Sequence, residues 1–289
     1  MSRDLFEKAY RSYWDAIERR DFSDFDLHSY DLCEVVNGGV WHTPFAELMV
    51  GGELRESINQ MNSWSGSLFD LRVWASVLEG FSEDDAWSLR DHFVEPLVYF
   101  CMHQPSAVRD RFGQVATNAI HQANLSVDKE YADVLEQDAL KPGRFLRRGQ
   151  LESQLERLSS RWVAGKSLLE ELRKLDSNGY RKSTLDYRNR ASHFIAPRLE
   201  LGEVQHLTRS VGPATVMVKA TDGYFYEEVD PGRMCVSYGF GGISPLRLAE
   251  VIEHNSKEYK AASRVLEAYS DLIREVMGVI GSIPRSKEL

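Results

Sequence analysis

Residues 245–280, PLRLAEVIEHNSKEYKAASRVLEAYSDLIREVMGVI, carry a long and regular hydrophobic pattern. Ser244 followed by Pro245 is a favourable helix start, with a capping side chain before a proline in the first turn. At about 1.5 Å per residue such a helix would be ~54 Å long, enough to support a whole helical bundle. Its apolar residues recur at steps of three and four, the spacing of one helix face: Leu248, Ile252, Tyr259, Ala262, Leu266, Tyr269, Ile273, Val276 and Ile280.

The sequence before this segment also favours helices. Residues from about Gln150 to Leu175 repeat the pattern and predict a second long helix. Ser82, three residues before Asp85, predicts the N-terminal cap of a helix that Pro105 would end or restart, and a further helix is expected over about 106–124. These patterns predict a mainly α protein built as a helical bundle.

One segment departs from the helical pattern. Residues 214–239, ATVMVKATDGYFYEEVDPGRMCVSYG, alternate apolar and polar side chains, and TDG and DPG provide turns. They predict a small β-hairpin or meander of two or three strands, inserted before the long C-terminal helix. Residues 1–65, interrupted by VNGGVWHTP and VGGEL, are predicted to be an N-terminal helical extension packed on the bundle, and residues 66–289 the helical domain with the β insertion.

Composition limits the functional classes. The chain has 289 residues, 43% of them hydrophobic, and no apolar run approaches the roughly 20 residues that span a bilayer. Charges interrupt the first residues, so no signal segment is expected; we predict a cytoplasmic protein without a membrane partner. Cys33, Cys101 and Cys235 are far apart and odd in number, which predicts free, buried thiols. The eight histidines lack metal-ligand spacing, so neither a metal nor a cofactor is predicted.

Charge is distributed unevenly along the chain. The net charge is −9, yet residues 141–198 contain 14 Lys and Arg against 6 Asp and Glu. A basic segment within an acidic protein is typical of a polyanion-binding surface. The alternative is that these residues pair with acidic helices elsewhere in the same chain, and the sequence leaves both interpretations open.

The end of this basic segment, DYRNRASHFIAP at 186–197, concentrates groups suited to phosphate chemistry. Asn189 and His193 lie one helical turn apart, Arg190 is on the neighbouring face, and the long side chain of Arg188 can reach the same groove. Histidine suits proton transfer near neutral pH, and arginine offers a charged fork for phosphate oxygens. Together they would hold a phosphodiester and deprotonate an adjacent 2′-hydroxyl without a metal. The alternative is an ordinary polar helix face.

RNRASH, residues 188–193, resembles the R-N-x-x-x-H form of the Arg-x(4–6)-His signature of HEPN (higher eukaryotes and prokaryotes nucleotide-binding) domains. The resemblance implies an α-helical bundle, commonly a homodimer, in which two copies of the motif meet at a cleft. Many members are metal-independent endoribonucleases in defence, toxin–antitoxin or RNA-processing systems. Others are inactive and bind nucleotides or partner proteins. By the same resemblance, Arg188 and His193 would be the catalytic pair and Asn189 the polar residue beside them.

Two hypotheses follow. In the first, the chain is a homodimeric endoribonuclease that makes a 2′,3′-cyclic phosphate, with an antitoxin or regulatory protein as partner. In the second, it is a non-catalytic helical module that binds a partner protein or nucleotide. The RNA backbone would be bound in the first case by basic residues of the 141–198 segment: Arg147, Arg148, Arg181, Lys182 and Arg190.

Overall fold

The computed structural model describes residues 1–19, 27–43 and 45–281. Residues 20–26 and 44 of the predicted N-terminal extension, and residues 282–289 of the predicted helical domain, lie outside this description. Ten α-helices occur in the described part: α1 (Arg3–Glu18), α2 (Asp31–Asn37), α3 (Ala46–Leu78), α4 (Glu83–Leu89), α5 (Glu95–Val127), α6 (Arg148–Leu158), α7 (Val163–Lys174), α8 (Asn178–Ser183), α9 (Tyr187–His193) and α10 (Leu248–Gly281). Two strands, β1 (Val204–Lys219) and β2 (Phe225–Ile243), precede α10. The prediction of a mainly α chain with a small sheet before a long C-terminal helix is therefore confirmed.

The core is formed by the three longest helices, α3, α5 and α10, which pack against one another. Trp64 of α3, Phe112 of α5 and Tyr269 of α10 are fully buried between them, and the Phe112 and Tyr269 rings meet edge to face with centroids 5.8 Å apart. The apolar stripe of α10 faces this core, because one side of a long amphipathic helix must be removed from water. Burial of these stripes provides the main stabilisation of the bundle.

The predicted start of α10 at Pro245 is wrong by three residues. The backbone N–H of Leu246 donates to the Arg198 carbonyl at 2.9 Å, and the Leu246 carbonyl accepts from the Glu200 N–H at 2.8 Å. These two bonds hold the segment in an extended conformation, so helical hydrogen bonding begins only at Leu248. The pairing is long-range and leaves no local pattern in the sequence.

Pro105 does not end a helix, contrary to the prediction. It lies inside α5, which continues without interruption to Val127 and includes the helix predicted at about 106–124. An internal proline removes one helical hydrogen bond at a cost of about 3 kcal/mol. Packing of α5 between α3 and α10 offsets this cost, because it buries apolar surface on both sides of the proline.

The helix predicted from Gln150 to Leu175 is in fact two helices. Between α6 and α7 a short 3₁₀ turn leads to Trp162, whose extended backbone breaks the helix. The Trp162 indole donates to Asn124 Oδ1 at 2.9 Å. The exposed N–H groups of Val163 and Ala164 then donate to the two carboxylate oxygens of Glu275, each at 2.8 Å. A carboxylate from α10 thus caps the start of α7.

The β segment is longer than the predicted 214–239 and has two strands. β1 and β2 pair antiparallel from Val204 opposite Ile243 to Lys219 opposite Phe225. TDG lies in the connection between the strands, where Gly223 has a φ of +91°. DPG is not a turn: the register shifts between Pro213 and Ala214, so residues 231–233 form a bulge within β2.

Contacts divide the chain into two compact units, 1–188 with 248–289 and 189–247. The first is the helical bundle, and the second carries the hairpin. The predicted division at 65/66 differs from this one, because α3 crosses that position as one continuous helix. Among the described helices, none has an apolar stretch long enough to cross a membrane.

Candidate functional site

The motif predicted to be catalytic lies on α9, a helix of seven residues. Arg188, Asn189 and Arg190 are half-buried, and His193 at the last position is exposed. The boundary between the two units falls after Arg188, within this helix. The helix ends at His193, and the imidazole is open to solvent.

The turn leading into α9 has an unusual backbone. Leu185 and Asp186 both adopt positive φ, 52° and 53°. This left-handed conformation costs about 1–2 kcal/mol for a residue with a Cβ, and bulky residues such as leucine rarely adopt it. Two hydrogen bonds hold the turn: the Asp186 N–H donates to the Arg181 carbonyl at 2.6 Å, and the Tyr187 N–H to the Thr184 carbonyl at 3.0 Å. These bonds join the first residue of α9 to the end of α8.

A cluster of ion pairs anchors α8. Asp176, which precedes the helix, is only 5% exposed at its side chain and accepts from Arg181 Nε at 3.0 Å and Nη2 at 2.6 Å. The same carboxylate accepts from Arg148 Nη1 at 2.5 Å. Arg148 also binds Asp110 of α5 through Nε at 2.6 Å and Nη2 at 2.9 Å. We call Asp110, Arg148, Asp176 and Arg181 the ion-pair cluster; it joins α5, α6 and α8.

The pKa values of the cluster follow from its geometry. Burial by itself would raise the pKa of Asp176, but hydrogen bonds from Arg181 and Arg148 outweigh it, and the pKa is lowered. The pKa of Arg148 is raised: burial opposes its charge, and hydrogen bonds to Asp110 and Asp176 more than compensate. Hydrogen bonds to Asp176 likewise raise the pKa of Arg181, so Asp176, Arg148 and Arg181 are held in their charged forms.

Tyr187, the first residue of α9, is also set into the bundle. Its pKa is raised to about 12, first by burial and then by the nearby Glu95 carboxylate and Tyr99. Both of these residues belong to the N-terminal part of α5. The phenol therefore stays neutral near pH 7 and serves to seat the start of α9 rather than to exchange protons.

The five predicted RNA-binding residues have different environments. Lys182 and Arg147 are exposed, and Arg190 is half-buried on α9. Arg148 and Arg181 form salt bridges within the ion-pair cluster, where the Arg148 side chain is only 22% exposed. Their charges are paired with carboxylates of the same chain, although the Arg181 side chain is 38% exposed. RNA binding by these two residues stays a prediction.

Some basic residues of the 141–198 segment pair with carboxylates from outside the segment. Arg157 pairs with Glu136 at 3.2 Å and Arg161 with Asp128 at 3.3 Å, and both carboxylates come from outside the segment. Arg148 does the same with Asp110. Part of the excess positive charge is therefore neutralised within the fold, as the alternative interpretation held.

Comparison of this chain with protein-family models, curated proteins and solved structures finds no match. Within the described residues, no group of three or more His, Cys, Asp and Glu side chains is placed to hold a metal ion. Of the three cysteines, Cys33 and Cys101 are buried as predicted, whereas Cys235 is exposed on β2. The functional argument therefore rests on the geometry of the chain itself.

Chemically, α9 offers one exposed imidazole beside an amide and two guanidinium groups. Asn189 and Arg190 precede His193 by four and three residues, which places them on its side of the helix. Arg188 precedes it by five residues, about 140° round the axis at 100° per residue. A single α9 thus presents His193 with Asn189 and Arg190 on one side and Arg188 on another.

Sequence reasoning missed the residues that position this helix. Asp176 and the left-handed pair Leu185 and Asp186 were not singled out. A partial signal existed for the first, since the DSNG sequence at 176–179 is rich in turn residues and Ser177 caps α8 by accepting from the Tyr180 N–H at 3.2 Å. The residue type at 185 gives no signal of the left-handed conformation, because leucine rarely adopts positive φ.

Proposed function

We propose that this chain is a metal-independent endoribonuclease of HEPN type, with Arg188 and His193 as its catalytic pair. The proposal is carried by one observation: the imidazole of His193 is exposed at the end of a helix that also presents Asn189 and Arg190 on its side. The anchored turn before α9 supports it, since a catalytic helix must be held in a fixed direction.

The proposed reaction needs one base and one acid. A neutral His193 imidazole removes the proton of a ribose 2′-hydroxyl, and the oxygen attacks the adjacent phosphorus. The bond to the 5′-oxygen breaks, and that oxygen receives a proton from an imidazolium. The products are a 2′,3′-cyclic phosphate and a 5′-hydroxyl. Arg188 holds the non-bridging oxygens, where negative charge builds up during the attack, and Asn189 orients the phosphate.

Each chain supplies one His193, so we propose that two copies complete one site. The second imidazole provides the acid when the first acts as base. The angle of about 140° between Arg188 and His193 on one helix favours the same arrangement, because the guanidinium of one copy then serves the imidazole of the other. The homodimer is thus part of the proposed mechanism.

The exposed Lys182 and Arg147 and the half-buried Arg190 are proposed to hold the RNA backbone. Each phosphate they neutralise releases counterions, so affinity for RNA should fall steeply as salt rises. We further propose that the enzyme acts in the cytoplasm in a defence or toxin–antitoxin system, under the control of an antitoxin or regulatory protein.

The test is cleavage of total cellular RNA by the purified chain in the presence of EDTA. Wild type should produce fragments that end in a 2′,3′-cyclic phosphate. Arg188→Ala and His193→Ala should each lose on the order of 10²–10⁴-fold in rate. His42→Ala removes an exposed histidine at a distant position in the sequence and should cleave as wild type does.

Two outcomes would contradict the proposal. Cleavage abolished by EDTA would reject the mechanism, and cleavage retained by His193→Ala would reject the site. A chain that cleaves in no form, and whose expression harms cells in neither wild-type nor His193→Ala form, would favour the second hypothesis. That hypothesis is a non-catalytic module that binds a partner protein or nucleotide.

A further inference from the structure

The β1–β2 hairpin has one strongly apolar face in the half formed by residues 204–213 and 234–243. Residues directly opposite in an antiparallel pair point to the same side, and alternate pairs share a face. Leu207 lies opposite Phe240, and Val211 lies opposite Val236. Continuing at the same spacing, the apolar ladder consists of Leu207, Val211, Pro213, Met234, Val236, Tyr238 and Phe240.

The opposite face of the same half is small and polar. Ser210 and Ser237 are hydrogen-bonded through their hydroxyls at 2.7 Å. Thr208 Oγ1 donates to the Gly239 carbonyl at 3.2 Å. The next pair brings His206 opposite Gly241. The hairpin is thus amphipathic, and its apolar face is exposed in the structure together with most of its polar face.

Every member of the apolar ladder is exposed. Phe240 is 96% exposed, Leu207 63% and Met234 60%. An apolar side chain of this size presents roughly 100 Å², so the seven members of the ladder amount to about 700 Å². Contiguous apolar patches above roughly 300–600 Å² are unusual on a soluble monomer and mark an interaction surface. A two-stranded hairpin alone is also only marginally stable in water and gains from being covered.

We propose that the apolar ladder is covered by the apolar ladder of a second copy of this chain, through a twofold, face-to-face contact of the two hairpins. Two such faces would bury about 1,400 Å², within the range of specific protein–protein interfaces. Both sides of a twofold interface are the same patch, so the patch must be complementary to itself. An apolar ladder satisfies this requirement, whereas a charged patch would repel its own copy.

Charge also favours a second copy as the occupant. The whole chain carries −9, but residues 204–243 contain 3 Lys and Arg against 4 Asp and Glu, so two hairpins repel each other little. Within the ladder rows the one charged residue is Arg209, opposite Tyr238. A polyanion would require several cations on this face, and a strongly charged protein partner would require matching charges.

In a twofold arrangement centred between the Arg209 and Val211 rows, the Leu207–Phe240 row of one copy lies over the Pro213–Met234 row of the other. The bulky end of each ladder then meets the flatter end of its partner. Arg209 extends over Val211, and its long stem covers apolar surface while the guanidinium reaches solvent at the strand edge. No charged group is left buried in this packing.

The test is the mass of the full chain in solution, which does not depend on whether it cleaves RNA. At about 20 µM, light scattering after gel filtration should give twice the chain mass of 33.0 kDa. The triple variant Leu207→Thr, Val236→Thr, Phe240→Thr should run as a monomer with an unchanged circular dichroism spectrum, since these exposed positions tolerate threonine in a strand. The matched variant Thr208→Ser, Ser210→Thr, Ser237→Thr on the polar face should remain a dimer.

A cross-linking experiment locates the contact. In a Cys235→Ser background, Val211→Cys should give a covalent dimer with a short bis-maleimide, and Ser210→Cys on the other face should not. The buried Cys33 and Cys101 are protected in the folded chain. A monomeric wild type, or a ladder variant that stays dimeric, would overturn the proposal. The chain could instead be monomeric and float with phosphatidylcholine–phosphatidylserine vesicles only when the ladder is intact. That result would overturn the proposed dimer and assign the ladder to a lipid surface.

Discussion

The ion-pair cluster and the apolar ladder are opposite cases of the same question, namely whether a side chain is available to a ligand. Arg148 and Arg181 belong to a residue type that is mostly exposed, yet both bind Asp176 within the bundle. Leu207 and Phe240 belong to types that are mostly buried, yet both are exposed on the hairpin. Residue type alone gives the wrong environment in both regions.

The difference lies in what surrounds each region. The cluster lies where three helices converge, so a charge there must be balanced by an opposite charge that another helix brings within hydrogen-bond distance. The hairpin has two strands and two faces. The hydroxyl groups of its polar face form hydrogen bonds between the two strands, whereas the side chains of its apolar face are exposed. Whether a side chain is available to a ligand therefore depends on packing. Substitutions at buried and exposed members of the same residue type test this.

The largest effect is expected for Phe112→Ala, compared with Phe240→Ala. Phe112 is fully buried in the bundle, so truncation should lower the free energy of unfolding by about 3–5 kcal/mol. Phe240 is almost fully exposed, and the same truncation should change it by less than ~0.5 kcal/mol when the chain is dilute enough to be monomeric. Urea unfolding of both variants measures the contrast. Equal losses would mean that the ladder is buried within the monomer.

A smaller effect is expected for Asp176→Asn. The substitution keeps the shape, and asparagine tolerates the positive φ of 49° at this position. It removes the charge that two arginines share, which should cost about 3 kcal/mol, the lower end for a broken buried pair, because Arg148 keeps Asp110. The pKa of Asp176 is lowered in the fold, so its stabilisation is present above the ordinary carboxyl pKa and is lost as pH falls through the folded value.

The control for this substitution is Asp271→Asn, which breaks a surface pair with Arg274 in which both side chains are more than half exposed. That change should stay within ~0.5 kcal/mol in urea titrations at pH 7. If Asp176→Asn proved equally mild, the cluster would not be the anchor of α8.

The smallest effect, and the one that is opposite in sign, is expected for Glu258→Gln. Burial raises the pKa of Glu258 to about 7; the adjacent Asp176 N–H and Arg109 lower it, and the Asp176 charge raises it. The carboxyl is thus neutral in the fold at pH values where the unfolded chain is charged. Wild-type stability should fall as pH rises from about 4.5 to 7, and Glu258→Gln should be more stable by on the order of 1–2 kcal/mol at pH 8.

Unfolding measured between pH 4.5 and 8 tests this prediction. The advantage of Glu258→Gln should shrink towards pH 4.5, because both chains are then neutral at this position. Glu253→Gln, on an exposed part of α10, should show no such gain. A constant difference across the range would assign the effect to packing rather than to ionisation.

Several features were predictable from the sequence because their causes are local. The apolar stripe of α10 lies within one helix, and the Ser82 cap depends on residues three positions apart, with Ser82 Oγ accepting from the Asp85 N–H at 3.3 Å. The β segment was identified by its alternation, though with shorter bounds. The candidate site residues Arg188, Asn189 and His193 were likewise found together on one helix, as their spacing predicted.

Only the tertiary structure decided what each of these elements does. The break at Trp162 depends on Glu275, more than 100 residues later, and the start of α10 depends on Arg198 and Glu200. Arg148 is neutralised by Asp110 and Asp176, which lie on other parts of the chain. The apolar ladder is exposed because, among the described residues, the sheet has only two strands and nothing covers this face. Sequence by itself determined the periodic elements and their side chains, because those follow from neighbours along the chain. Which charges are balanced and which apolar faces are covered depends on partners distant in sequence, and the fold alone brings these within reach.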